Sequence, residues 1–163
     1  MTASALRPLV NNFGFASNCY ICEPGNPEGL RIPFFLDSER GMVVATVTFG
    51  EGHSGAPTLV HGGLLAALCD EAVAWTAIAM ARRFALTAET RISYLAPVPV
   101  GTEVRVTGRL IGAIGSQLWV LAEVRAGDTV HVRAESRATA MGGQLAESAG
   151  VVTDEAGTVV ERE

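Results

Sequence analysis

The segment His61-Gly62-Gly63, followed by Asp70, is where this sequence brings together residue types that can do chemistry. Two glycines at the start of an apolar helix offer N–H groups without intrahelical acceptors, at the end of the dipole that favours negative charge. Lacking side chains, they let a ligand approach the backbone closely. An amide there can hold a carbonyl oxygen as it becomes an oxyanion. From the glycines alone, a tight loop-to-helix turn is the better explanation. Asp70 and Glu71 lie in the middle of the same helix, among Leu, Ala, Val and Trp. A carboxylate in such surroundings is hydrogen-bonded, shifted in pKa or catalytic, unless the pair sits at an exposed helix edge.

Spacing adds a constraint. Eight residues from Gly62 to Asp70 span about 12 Å of α-helix at about 1.5 Å per residue. An oxyanion donor and a base or nucleophile must both come within about 3 Å of one reacting group. If both serve one site they belong to different chains, which predicts a homodimer with helices side by side.

The elements that must position these residues follow from patterning. A length of 163 residues fits one domain, and 48% hydrophobic residues suffice for a core. Residues 1–28 read as an irregular or partly helical leader with turn signals at Pro24-Gly25-Asn26-Pro27, residues 29–141 as the domain, and residues 142–163 as a tail or marginal hairpin. Strands are expected over residues 30–36 and 42–49, a loop over 50–60, and a helix over 61–83 that is apolar nearly all round and so surrounded by protein. Four more strands follow, over residues 85–95, 103–114, 117–126 and 129–140, with tight turns at Gly115-Ser116 and Gly127-Asp128. The fold class is α+β: an antiparallel sheet of five to six strands around one buried helix.

Twelve basic against seventeen acidic residues give a formal charge of −5, which argues against a nucleic-acid or anionic-membrane binder. The apolar run is broken by Asp70 and Glu71, so no membrane span is expected. Three cysteines without an export signal read as reduced thiols of a cytoplasmic protein.

The run Val60-His61-Gly62-Gly63-Leu64-Leu65-Ala66-Ala67-Leu68-Cys69-Asp70-Glu71-Ala72 resembles the HGG(x)6D motif of PaaI-type and 4-hydroxybenzoyl-CoA-type hotdog thioesterases. Residues 87–99 resemble the strand after the helix in that family, TAxLxIxYxxPxP. Cys19-Tyr20-Ile21-Cys22 with Asn26-Pro27-Glu28-Gly29-Leu30 is similar to the CxxCGxxNPxGL leader of some members. The resemblance implies a hotdog fold and hydrolysis of an acyl-CoA thioester without a cofactor. It implies that Asp70 activates water or attacks the thioester carbonyl, that the Gly62 N–H polarises that carbonyl, and that His61 shapes the loop. Thr87 falls where some members place a hydroxyl that orients the water or the carboxylate. Gly63, Glu71 and Trp75 would border the substrate, although Trp75 is equally ordinary core and Glu71 a structural neighbour or a substitute for Asp70. Arg82, Arg83 and Arg91 could meet the CoA phosphates, or cap the helix end and be solvated. The assembly implied is a homodimer, or a dimer of dimers. The chain departs from the pattern six residues before the His, where members often carry Asn or Gln and this chain has Gly55, leaving His53, Ser54 or Thr58 as substitutes.

Other chemistries fit less well. Cys19-x-x-Cys22 invites zinc, but no second close Cys/His pair completes four ligands, so no metal is expected. No G-x-S-x-G elbow is present, and the glycines at 50, 52 and 55 lack a β-α-β context for nucleotide binding. A hotdog hydratase would pair a His with a carboxylate, yet fourteen residues after His53 stands Ala67. A non-catalytic acyl-CoA-binding module uses the same groove and stays open.

Overall fold

The computed structural model describes residues 6–12, 16–146 and 149–150. Expectations for the rest of the C-terminal tail fall outside the described residues. A seven-stranded antiparallel sheet runs in the order β1 (Leu6–Leu9), β2 (Phe34–Asp37), β3 (Met42–Thr48), β7 (Glu103–Ile114), β8 (Gln117–Ala126), β9 (Thr129–Gln144), β6 (Arg83–Tyr94). The hotdog arrangement holds, with a seventh strand from the leader. LRPL has no alternation to mark it, and it pairs with β2 through Leu9↔Phe34 and Leu6↔Asp37. The loop at 50–60 holds a short 3-10 turn and a two-stranded ribbon, β4 (Ser54–Ala56) with β5 (Leu59–Val60).

The helix α1 (Gly62–Met80) lies on the inner face of the sheet, against β6, β7, β8, β3 and β9. Alternate residues of the central strands point at it: Val104 and Val106, Leu118, Val120, Ala122 and Val124, Val132 and Ala134, all essentially without solvent exposure. The helix answers with Leu65, Leu68, Cys69, Ala72, Val73 and Thr76. Its length and composition alone would let it cross a membrane; here nine of its nineteen residues are buried, and it is the core helix of this sheet. The closest approach is at Gly108 of β7, where a Cβ would lie 2.8 Å from the carbonyl oxygen of Ala72 and against the Thr76 hydroxyl. Glycine is therefore the residue that lets the helix backbone sit on the strand.

The helix ends at Met80, three residues before the expected end. Ala81 is the C-cap, and Arg82 takes the left-handed conformation (φ 56°) that usually falls to glycine after a helix. Its guanidinium holds the turn by donating to the carbonyl oxygens of Ile78 (3.2 Å), Ala149 (3.0 Å) and Ala146. Arg83 then opens β6, a strand of twelve residues that lies at the sheet edge, its only strand partner among the described residues being β9.

Candidate functional site

His61 is the N-cap of α1, and its Nδ1 accepts the Gly63 N–H at 2.9 Å. Leu64 and Leu65 donate to the His61 carbonyl oxygen at 3.0 and 3.3 Å. Of the first-turn amides, this leaves the Gly62 N–H without an acceptor among the described residues. His61 thus defines which amide stays available rather than contacting a ligand through Nδ1.

Three further ties fix the helix start. Tyr94, at the end of β6, donates its hydroxyl to the Gly62 carbonyl oxygen at 3.0 Å, and its ring lies where a Gly62 side chain would go. Val60 N–H reaches the Val98 carbonyl at 2.8 Å, and Val100 N–H reaches that of Thr58 at 2.9 Å. The Pro97-Val98-Pro99 stretch is thereby zipped to β5, so the two sequence motifs that lie 30 residues and more apart meet here. His61 N–H donates to the His53 carbonyl at 2.9 Å. Gly55 packs on His61 so closely that a Cβ would stand 2.9 Å from its imidazole and 3.0 Å from its Cα. Position 55 has no room for an amide side chain in this geometry, which accounts for the departure from the family pattern.

The helix start is flanked by two clefts. One, of about 300 Å3, is apolar and lined by Val60, Gly62, Leu65, Tyr94, Leu95 and Pro97. The other, of about 430 Å3, is lined by Tyr20, His53, Ser54, His61, Gly63 and Leu64. Ser54 and His53, two of the substitutes considered for the missing amide, face this second cleft; Thr58 does not line it.

Asp70 is exposed, and with Gly63, Ala66, Ala67 and Ala74 it forms a helix face of small, incompletely buried residues. Its neighbour Glu71 points elsewhere, half-buried against the leader, where its Oε2 accepts the Cys19 thiol at 3.3 Å. Burial pushes the Glu71 carboxyl up to about 7; a hydrogen bond from Cys22 opposes this, and negative charge at Cys19 and Asp70 adds to it. Of the two leader thiols, Cys19 takes the charge more readily. A hydrogen bond from the Cys22 side chain is the chief cause, and it brings Cys19 down to about 5 against the opposing effect of burial while Cys22, as donor, is pushed up. Burial, and then the Asp70 charge, push the Cys69 thiol up to about 12.

The remaining candidates divide. Thr87 is exposed on the edge strand, just before a bulge at Ala88 that breaks the β6–β9 register. Trp75 is buried one helical turn beyond Glu71 and lines a cavity of about 270 Å3 with Leu9, Cys22, Phe34 and Phe35, away from the helix start. Arg82 spends its donors on backbone carbonyls, and Arg83 donates to the Gly142 carbonyl at 3.2 Å. Both side chains hold the C-terminal segment rather than project from it, while Arg91 stands exposed on β6. Sequence reasoning missed the partnership of Glu71 with Cys19 and Cys22, and the role of Tyr94.

Comparison with known proteins bears on this geometry. Residues 58–132 match the family model described as the thioesterase superfamily. A crystal structure of a thioesterase superfamily protein superposes with a TM-score of 0.69 at 27% identity, covering 75% of this chain and 60% of that one. The chain thus spans less than two thirds of that relative. A thioesterase superfamily protein from Shewanella loihica PV-4 gives 0.55 at 29% identity, over 63% of this chain and 85% of that one. A Streptococcus mutans UA159 protein, solved bound to acetyl CoA, gives 0.61 at 21% identity, over 64% and 84%. No curated protein matches the sequence. The family match runs from the helix start through α1, β6, β7 and β8, and with the sheet order and the superposed structures it identifies the fold as a hotdog similar to those of thioesterase superfamily proteins.

Proposed function

We propose that the protein is an acyl-CoA thioesterase that works as a homodimer. Asp70 of one chain and the Gly62 N–H of its partner act on the same thioester. The observation that carries this reading is the pairing of an unpartnered Gly62 amide with an exposed Asp70 on one helix, about 12 Å apart along it. Among the described residues neither group has a hydrogen-bond partner, and each supplies what the other lacks.

The surfaces around them support an isologous dimer. Among the described residues β6 offers an unpaired edge twelve residues long, the kind of edge that pairs with another strand unless it is blocked. Leu86, Tyr94 and Leu95 on and beside it are each 55% exposed, more than a lone strand edge has reason to show. The small residues beside Asp70 let a second helix approach closely. A two-fold axis beside β6 sets the two helices antiparallel, bringing each Asp70 towards the other chain's Gly62.

In this site the Gly62 N–H receives the thioester oxygen as negative charge develops on it. The Asp70 carboxylate either removes a proton from water as the water attacks or attacks the carbonyl carbon itself; CoA leaves as the thiol. The apolar cleft beside Gly62 and Leu65 suits the acyl group, and Thr87, exposed on β6, is the hydroxyl this reading assigns to the water or the carboxylate. That a structurally similar protein binds acetyl CoA agrees with a CoA thioester as substrate.

The test is release of free thiol from a panel of aliphatic and aromatic acyl-CoAs by wild type and by Asp70→Asn. Thiol release by the wild type, reduced about 10²- to 10⁴-fold in the variant with folding intact, supports the assignment. Binding without release across the panel would instead make the protein an acyl-CoA-binding module.

A further inference from the structure

Besides the helix start, the leader and α1 build a second cluster. The Sγ atoms of Cys19 and Cys22 and a carboxylate oxygen of Glu71 all lie within 4.8 Å of one another. We propose that these three side chains bind a thiophilic divalent metal ion, zinc by chemical preference, which staples the leader to the core helix.

Geometry is the first support. Tetrahedral bonds of about 2.3 Å to sulfur and about 2.1 Å to oxygen put ligand atoms about 3.6–3.8 Å apart. Cys19 Sγ and Glu71 Oε2 are 3.3 Å apart, so closing the set on an ion asks for shifts on the order of 1 Å or less. The leader turn is the second. The Ile21 N–H donates to Cys19 Sγ at 3.3 Å, an arrangement that orients and stabilises a thiolate. Leu30 N–H to the Tyr20 carbonyl (2.7 Å), Ile32 N–H to that of Ile21 (2.8 Å) and the buried Asn26 side chain hold the turn independently of the thiols.

The third support is charge. Glu71 sits half-buried on an apolar helix, and among the described residues no arginine or histidine pairs with it or with either thiol. A carboxylate in that position wants a cation, and two sulfurs select a soft transition metal over magnesium or calcium. Two thiolates and one carboxylate leave a fourth position for water. Glu71 is turned by about 100° from Asp70 around the helix and faces the leader, so the site stands or falls independently of the thioesterase reading.

The reduced, chelator-treated full chain is titrated with Co(II). One equivalent should bind with visible bands of a tetrahedral ion and a near-ultraviolet thiolate-to-cobalt charge-transfer band, both removed by Zn(II). Zn(II) should also shield Cys19 and Cys22 from a thiol reagent. Cys22→Ser should lose the charge-transfer band. Glu71→Gln should keep it with affinity weakened at least about tenfold, since even outer-shell partners carry 10- to 100-fold effects. Wild-type protein giving only the weak octahedral spectrum, with both thiols as reactive in Zn(II) as without it, overturns the proposal whatever the variants do. So does a Cys19–Cys22 disulfide that forms equally fast with and without Zn(II).

Discussion

Replacing Gly62 by proline removes one N–H group and very little else. Position 62 is the first residue of α1, where proline is well tolerated because that amide has no intrahelical acceptor. The preceding His61 already has φ −61° and ψ 127°, the extended conformation that a following proline requires. A Cβ at 62 comes within 3.3 Å of the Tyr94 ring, an exposed side chain that can yield by a few tenths of an ångström. Stability should therefore stay within about 1 kcal/mol of wild type. Loss of an oxyanion donor, by contrast, costs about 10²- to 10³-fold in kcat, or about 2.7–4 kcal/mol.

The informative assay joins this variant to Asp70→Asn. On the proposed mechanism each homodimer should be crippled in both sites. In a doubly tagged heterodimer of the two, one site combines the intact Gly62 of one chain with the intact Asp70 of the other, and the second site lacks both. Isolated heterodimer should recover about half of the wild-type rate, as two-fold symmetry dictates. If the two groups served a site within one chain, every heterodimer site would be defective and the rate would stay at the level of the parents. That outcome, with stable heterodimer in hand, refutes the cross-chain argument.

Two further expectations concern the scaffold. Gly108→Ala forces a methyl against the Ala72 carbonyl and the Thr76 hydroxyl, and should destabilise by about 1–3 kcal/mol, read as a lowered denaturant midpoint. Burial works against the Glu123 carboxylate, but Arg125 and Arg133, at 2.8 Å each, outweigh it and hold the carboxyl below its ordinary value of 4.5. A depressed folded-state pKa contributes stability above the unfolded value that is lost as pH falls through the folded one. Glu123→Gln should thus cost up to about 1 kcal/mol at neutral pH and flatten the decline in Tm below about pH 4.5; a variant whose acid limb overlays the wild type removes Glu123 from that decline.

What was legible in the sequence followed local rules. The bounds of β7 and β8 coincide with the expected ones because Gly115 (φ 58°) and Gly127 (φ 56°) mark turns that demand left-handed backbone. The helix end was misplaced because Arg82 does the work of a glycine there, held by carbonyls contributed more than sixty residues later. Likewise β1 draws its register from Phe34–Asp37, across a leader whose own pattern carries no period. The motif singled out Gly62 and Asp70 by residue type and spacing alone. The closeness of Gly55 to His61, and of Glu71 to two cysteines fifty residues upstream, arises only from tertiary folding.

Asp70 and Glu71 looked interchangeable as adjacent carboxylates, and the helix removes that symmetry. Successive residues are turned by about 100° on an α-helix, so two neighbours cannot serve one surface. Asp70 emerges among Gly63, Ala66, Ala67 and Ala74, on the face left open for a second helix. Glu71 falls in line with Trp75, one turn further on, against the leader and its thiols. For Glu71 to replace Asp70 in catalysis, the helix would have to rotate and carry the buried Leu68, Ala72 and Thr76 off Gly108 and the central strands. The close packing at Gly108 makes that rotation costly. The proposed chemistry across a dimer therefore assigns the acid to Asp70, and leaves Glu71 to the leader.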